Sequence, residues 1–139
     1  MNYLLDTNVI SELVARQPNQ QVVVWIDSLD PNFVYLSTIT IGELSKGIEK
    51  LPQSKRKAEL TDWLHHRLLV RFSNRILGLD AATMLKWGQL TARLETMGRT
   101  LPAMDSLIAA IALHNECILA TRNEADFKDT SVTILNPWQ

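Results

Sequence analysis

A chain of 139 residues, 46% apolar and 21% charged, is long enough for one domain with a full core and too apolar for a disordered tail. Its net charge of −1 excludes a wholly basic nucleic-acid coat, its one cysteine excludes an internal disulfide framework, and no apolar run approaches the roughly 20 residues of a membrane span. The N-terminus has neither the basic start nor the long apolar run of a secretory signal, so the reading is a cytoplasmic protein with no membrane association. Cys117 lies in an apolar run, which predicts a small buried hydrophobe in a reducing compartment.

In chain order, Tyr3, Leu4 and Leu5 predict a short buried strand, and Val9, Ile10, Leu13 and Val14 a helix that ends at Pro18-Asn19. Residues 20–29 read as helical through Val22, Trp25, Ile26 and Leu29, and Asp30-Pro31-Asn32 as a turn. "FVYLS" (33–37) is rich in strand formers, and "TIGELSKGIEKL" (40–51) returns to helical spacing. Residues 54–70 predict a long helix, 75–79 a strand, 81–97 and 105–115 two helices, and 117–122 and 131–135 two closing strands. Alternation of this kind, without repeats or linkers, predicts a single α/β domain. Its mostly parallel sheet of about five strands is covered on both faces, with right-handed crossovers. In such sheets ligands bind beyond the carboxyl ends of the strands.

Charge is unevenly placed. Residues 46–75 carry Lys46, Lys50, Lys55, Arg56, Lys57, Arg67, Arg71 and Arg75 against Glu49, Glu59 and Asp62. The segment is either a solvated helix face or a set of phosphate contacts. Acids fall at the predicted sheet edge: Asp6 ends the first strand, Glu43 lies in the first turn of the helix after the second, Asp105 starts the helix in "LPAMDSL", and Asp126 follows "CILAT". Each has a structural alternative. Asp6 is a favoured N-cap, Thr40-Ile41-Gly42-Glu43 fits a capping box, Asp105 suits a first turn, and Asp126 suits an ordinary turn. Capping does not explain why Asn8, Thr121 and Asn123 stand where they can bond the same cluster. Crowded carboxylates raise one another's pKa and call for a cation, and an all-oxygen set suits Mg²⁺, with Mn²⁺ as the second choice, over Zn²⁺. His65, His66 and His114 form no ligand pair with Cys117.

"LLDTNVIS" (4–11), "STITIGELSKGI" (37–48), "LPAMDSLIAAIALHN" (101–115), "LATRNEADF" (119–127) and "ILNPW" (134–138) together resemble the PIN-domain ribonucleases, in particular the VapC-type toxins of bacterial toxin–antitoxin pairs. The resemblance spans nearly the whole chain and implies a compact three-layer α/β/α domain. It also implies metal-dependent endonucleolytic cleavage of RNA by Asp6, Glu43 and Asp105, with Asp126 as fourth acid and Thr7, Asn8, Thr121 and Asn123 as polar support. The fourth acid is variable in that family, and some members carry it where Asn123 stands here. A homodimer and a small cognate antitoxin that covers the cleft are implied as well, and Val22 and Trp25 are read as either partner contacts or core.

On this reading Asp6 and Asp105 bind Mg²⁺, Glu43 and Asp126 hold or activate the attacking water, and Lys46, Arg67 and Arg71 hold flanking RNA phosphates. A haloacid-dehalogenase-type phosphotransferase calls for an acid at position 8, where Asn8 stands, and a receiver domain calls for an acid pair near the first strand. The remaining alternative is a non-catalytic RNA- or protein-binding module on the same fold, its acids serving as caps.

Overall fold

The computed structural model describes residues 1–139. Its sheet holds five strands, β1 (Asn2–Leu5), β2 (Val34–Ser37), β3 (Ile76–Leu77), β4 (Cys117–Ala120) and β5 (Ile134–Leu135), in the order β3-β2-β1-β4-β5. Every neighbouring pair is parallel. The helices are α1 (Thr7–Leu13), α2 (Gln20–Asp27), α3 (Thr38–Glu49), α4 (Lys55–Trp63), α5 (Leu69–Arg71), α6 (Ala81–Thr96) and α7 (Ala103–His114).

Strand alternation sets up the layers. In β1, Leu4 faces a core with Leu90, Leu94, Ile108 and Leu119 beneath α6 and α7, whereas Leu5 faces the opposite core with Val9, Ile26, Leu44 and Leu68 beneath α1 to α5. Successive side chains of a strand point to opposite faces, so one strand buried on both sides serves two cores. The result is the α/β/α sandwich expected from the sequence. Cys117 is buried in the second core, and burial pushes its thiol up to about 11, an inert hydrophobe.

Three elements differ from the sequence reading. The strand predicted over 75–79 is only Ile76–Leu77, and that predicted over 131–135 is only Ile134–Leu135. Both are edge strands paired on one side, so fewer residues meet a ladder partner. The helix predicted over 54–70 contains a π-helical turn, Leu64–Leu68, between α4 and α5. Leu64, Leu68 and Phe72 are all buried, at four-residue spacing. An α-helix advances about 40° too far in each four-residue step, and the wider turn returns these side chains to the core face.

Val22 is fully buried, so the core reading holds for it, and Trp25 is half-buried, packing edge-on against Tyr3 at 5.5 Å at the margin of the same core. No helix is long and apolar enough to cross a membrane.

Chain order and spatial order diverge beside β1. The chain steps outward from β1 to β2 and β3, then crosses to β4 on the other side. That reversal opens a crevice at the carboxyl ends of β1 and β4. Helices that follow β1 and β2 start at this edge, and α7, which runs back before β4, starts there too.

Candidate active site

Asp6 is the first residue beyond β1, and its backbone N–H extends the sheet ladder to Ala120 O at 2.9 Å. The residue is 5% exposed. Oδ1 accepts from Thr7 N at 2.8 Å, capping α1, and Oδ2 accepts from Thr121 Oγ1 at 2.8 Å. Asp6 is therefore a cap, and something more. Burial raises its pKa, the bonds from Thr121 and Thr7 oppose the rise, and the charges of Glu43 and Asp126 add to it. Asn8 Nδ2 donates to Thr121 Oγ1 at 3.2 Å, and Asn123 N donates to the same hydroxyl at 3.1 Å. Thr121 thus has one direction left for its own proton, toward Asp6.

Glu43 lies on α3 and does not form the capping box that the sequence pattern allowed. Helix α3 starts at Thr38, capped by Ser37, whose Oγ accepts from Thr40 N at 3.0 Å. Glu43 is consequently a turn further along, and its Oε1 accepts from Thr7 Oγ1 at 2.6 Å. Thr7 Oγ1 also lies 3.0 Å from Thr40 Oγ1, and Ser37 Oγ donates to Thr40 Oγ1 at 3.3 Å. Each hydroxyl has one proton, and Thr7 gives its proton to Glu43. The series therefore runs one way, from Ser37 to Thr40 to Thr7 to Glu43.

Asp105 occupies the first turn of α7 behind Pro102, which offers no side-chain cap. Its carboxylate is not engaged with the backbone. Ser106 Oγ donates to Ala103 O at 2.7 Å and accepts from Trp87 Nε1 at 2.9 Å, fixing this turn against α6. Burial first, then the charges of Asp6, Asp126 and Glu43, push Asp105 up to about 6. Those causes tie all four acids, drawn from four segments, into one electrostatic neighbourhood.

Asp6, Thr7, Asn8, Glu43, Asp105 and Asn123 line one cleft of about 490 Å³. Asp126 lies in the 3₁₀ turn Glu124–Phe127 and does not line it, but its charge acts on Asp6 and Asp105. The loop around it is tied to α6 by Arg93, which donates to Asp129 O at 2.9 Å and Thr130 O at 3.2 Å, and to the segment after α6 by the Arg99–Asp129 ion pair at 2.9 Å. Lys46 lines an adjoining groove with Glu43, Lys50 and Met104. Arg67 and Arg71 are elsewhere: they border an apolar groove with Leu13, Val23 and Trp63. His65 bonds its own helix at Thr61 O, and His66 stands 4.0 Å from Asp62 in solvent.

The cleft also contains Ser11, Glu12, Arg122 and Trp138, which sequence reasoning had not singled out. Arg122 was legible in part, as a cation between the two polar supports Thr121 and Asn123.

No three His, Cys, Asp or Glu side chains close around a single point. The donors are hard oxygens facing one cleft, two of them with raised pKa. That set fits a hydrated divalent cation taking one or two carboxylates, and it does not fit a dehydrated cage or zinc.

A five-stranded parallel sheet with acids gathered where its strand order reverses defines an open α/β domain with a carboxylate-lined crevice. The chain belongs to the PIN-domain family, whose sequence profile matches residues 3–132. It is 41% identical to the plasmid stability protein StbB of Pseudomonas syringae pv. tomato over 98% of both chains, and 41% identical to toxin FitB of Neisseria gonorrhoeae over 97% of both. VapC ribonuclease Y4jK of Sinorhizobium fredii is 35% identical over 98% of this chain and 97% of its own. Among solved structures, the FitAcB structure from N. gonorrhoeae superposes with a TM-score of 0.94 at 40% identity, covering 99% of each chain.

Proposed function

We propose that this protein is an endoribonuclease of the VapC type, the toxin of a toxin–antitoxin pair, and that it hydrolyses RNA phosphodiester bonds with Mg²⁺ or Mn²⁺. The observation that carries this reading is the convergence of Asp6, Glu43, Asp105 and Asp126 at the switch point, with Asp105 pushed up to about 6. Asp6 is buried and Glu43 and Asp105 are half-buried, and a grouping of carboxylates that opposes the ionisation of Asp6 and Asp105 is costly unless a cation offsets it. Relatives named as toxin and ribonuclease support the same reading.

Asp6 and Asp105 would hold the cation, Asp6 with its orientation set from two sides by Thr7 and Thr121. When bound, the cation supplies charge neutralisation at the scissile phosphate and a more acidic water. Glu43 takes the proton of the attacking water at Oε2, since Oε1 is occupied by Thr7. Asp126 adds negative charge that strengthens cation binding, and Asn123 offers an amide to the substrate or to a bound water. Lys46, in the groove beside Glu43, holds a flanking phosphate. Arg67 and Arg71 border an apolar groove instead, so they are better placed for a protein partner. We assign that partner as the cognate antitoxin, and the working assembly as a homodimer in the cytoplasm.

The test is cleavage of a labelled single-stranded RNA by the purified chain with Mg²⁺, with Mn²⁺, and with chelator. Divalent-dependent cleavage that Asp6→Asn lowers at least 100-fold, with the circular dichroism spectrum unchanged, is the expected result. RNA binding without turnover in any metal would replace the enzyme with a binding module.

A further inference from the structure

Arg122 is the one cation lining the acidic cleft. It is exposed and forms no ion pair, although Glu12, Glu43, Asp6 and Asp105 share the cleft with it. Its guanidinium lies instead over the Trp138 ring, 5.1 Å from the centroid. That ring is itself fixed. Trp138 Nε1 donates to Glu12 Oε1 at 3.2 Å, its backbone N–H donates to Asn136 Oδ1 at 2.9 Å, and it packs against the core beneath α1 and α2. The base of Arg122 is equally constrained, because its backbone N–H donates to Asn8 Oδ1 at 3.4 Å, and Asn8 also bonds the Thr121 that orients Asp6.

A guanidinium stacked on an indole has one face covered and its edge donors free. Here those donors are unspent, and they are carried on the same Asn8–Thr121 frame that positions Asp6. Phosphate oxygens are the ligand that the planar fork matches. A polyanion approaching four carboxylates also requires a positive group on the cleft wall.

We propose that Arg122, held on the Trp138 ring, is a substrate-binding residue that grips a phosphate of the RNA strand next to the one being cleaved. The inference rests on the ribonuclease reading of the cleft. Trp138 acts through Arg122 as its positioning residue, and the C-terminal segment is thereby part of the substrate site.

The experiment uses the full chain and a fluorescein-labelled mixed-sequence single-stranded RNA. Binding is measured with chelator across a salt series, and cleavage of the same RNA with Mg²⁺. Arg122→Ala should weaken binding roughly tenfold and reduce the slope of log affinity against log salt by about 0.7, the value for one phosphate contact on a single strand. KM should rise in step while kcat stays within about threefold. Arg122→Lys, which keeps the charge and loses the stacked fork, should fall between the two. Lys55→Ala removes a charge from a solvent-exposed helix position, and its salt slope should match wild type, separating a local contact from net charge. Arg122→Ala with wild-type affinity and slope, in a protein that still cleaves RNA, would overturn the inference alone. A wild type that neither binds nor cleaves RNA would overturn the ribonuclease reading and this inference with it.

Discussion

Asp6 has two duties that pull in different directions. As N-cap it works best ionised, and as a buried neighbour of Glu43 and Asp126 it is held back from ionising. Asp105 bears the same conflict without the cap. Its ordinary pKa is 3.8, and in the fold it is about 6. Between those values the folded state binds the extra proton, so the contribution of Asp105 to stability is fully present below about pH 3.8 and is lost as pH rises to about 6. Above that, ionised Asp105 costs about 1 kcal/mol once its partial exposure is allowed for. Asp105→Asn should therefore be more stable than wild type at pH 8 by about that amount, with a flatter dependence between pH 4 and 6.5. Denaturant titration at several pH values reads this directly, and a variant no more stable at pH 8 would remove the repulsion from the account.

Thr7 permits a second test at a single atom. Thr7→Val keeps the shape but leaves Glu43 without its donor and the buried Thr40 hydroxyl without its acceptor. A loss of about 1–2 kcal/mol and at least a tenfold drop in cleavage are expected, and Thr7→Ser should restore most of both. Equal activity in Thr7→Val would show that Glu43 needs no orientation. Legibility differed among these residues. The acids and the polar groups Asn8, Thr121 and Asn123 were visible as chemistry at predicted strand ends. The hydroxyl series was not, because Ser37 and Thr40 look like ordinary capping residues until the fold brings Thr7 against them.

Among the elements, α3 and the π-helical turn teach the most. Two overlapping start signals lie in Ser37-Thr38-Ile39-Thr40 and Thr40-Ile41-Gly42-Glu43, and local pattern favours the one with the acid. The fold uses the first, since β2 ends at Ser37 and its hydroxyl is already at the sheet edge. That choice frees Glu43 from the helix start and points it at Thr7. Ser37→Ala should cost about 1 kcal/mol through the lost cap. It should also lower cleavage more than an equally destabilising change elsewhere, because the hydroxyl series begins there. Thermal unfolding with activity measured below the transition separates the two effects. The π-turn was unreadable for a different reason: four-residue apolar spacing fits a straight α-helix over one step, and the drift becomes large only over the two steps from Leu64 to Phe72.

At the scale of the whole molecule, topology was legible because strands and helices alternate with strong periodicity, and parallel pairing follows from that alternation. The position of the basic residues was not. Charge summed along 46–75 made Lys46, Arg67 and Arg71 look alike, yet α3 carries Lys46 to the cleft side while Arg67 and Arg71 border the apolar groove near α1 and α2. Arg122, isolated in sequence, is the cation within the cleft. The whole fold thus works as a frame that holds mutually repelling acids together, and ligation by a cation should stabilise all of it. At ten times its dissociation constant, Mg²⁺ should add about 1.4 kcal/mol, a rise in Tm of roughly 4 °C. Asp6→Asn should lose most of that rise.

The most direct measurement is divalent-metal titration by calorimetry of the purified chain beside Asp6→Asn and Asp105→Asn, with circular dichroism on all three. Mg²⁺ or Mn²⁺ binding to the wild type, lost or weakened at least tenfold in both folded variants, is the predicted result. Equal binding in all three, or none in any, would contradict the claim that these acids form a cation site.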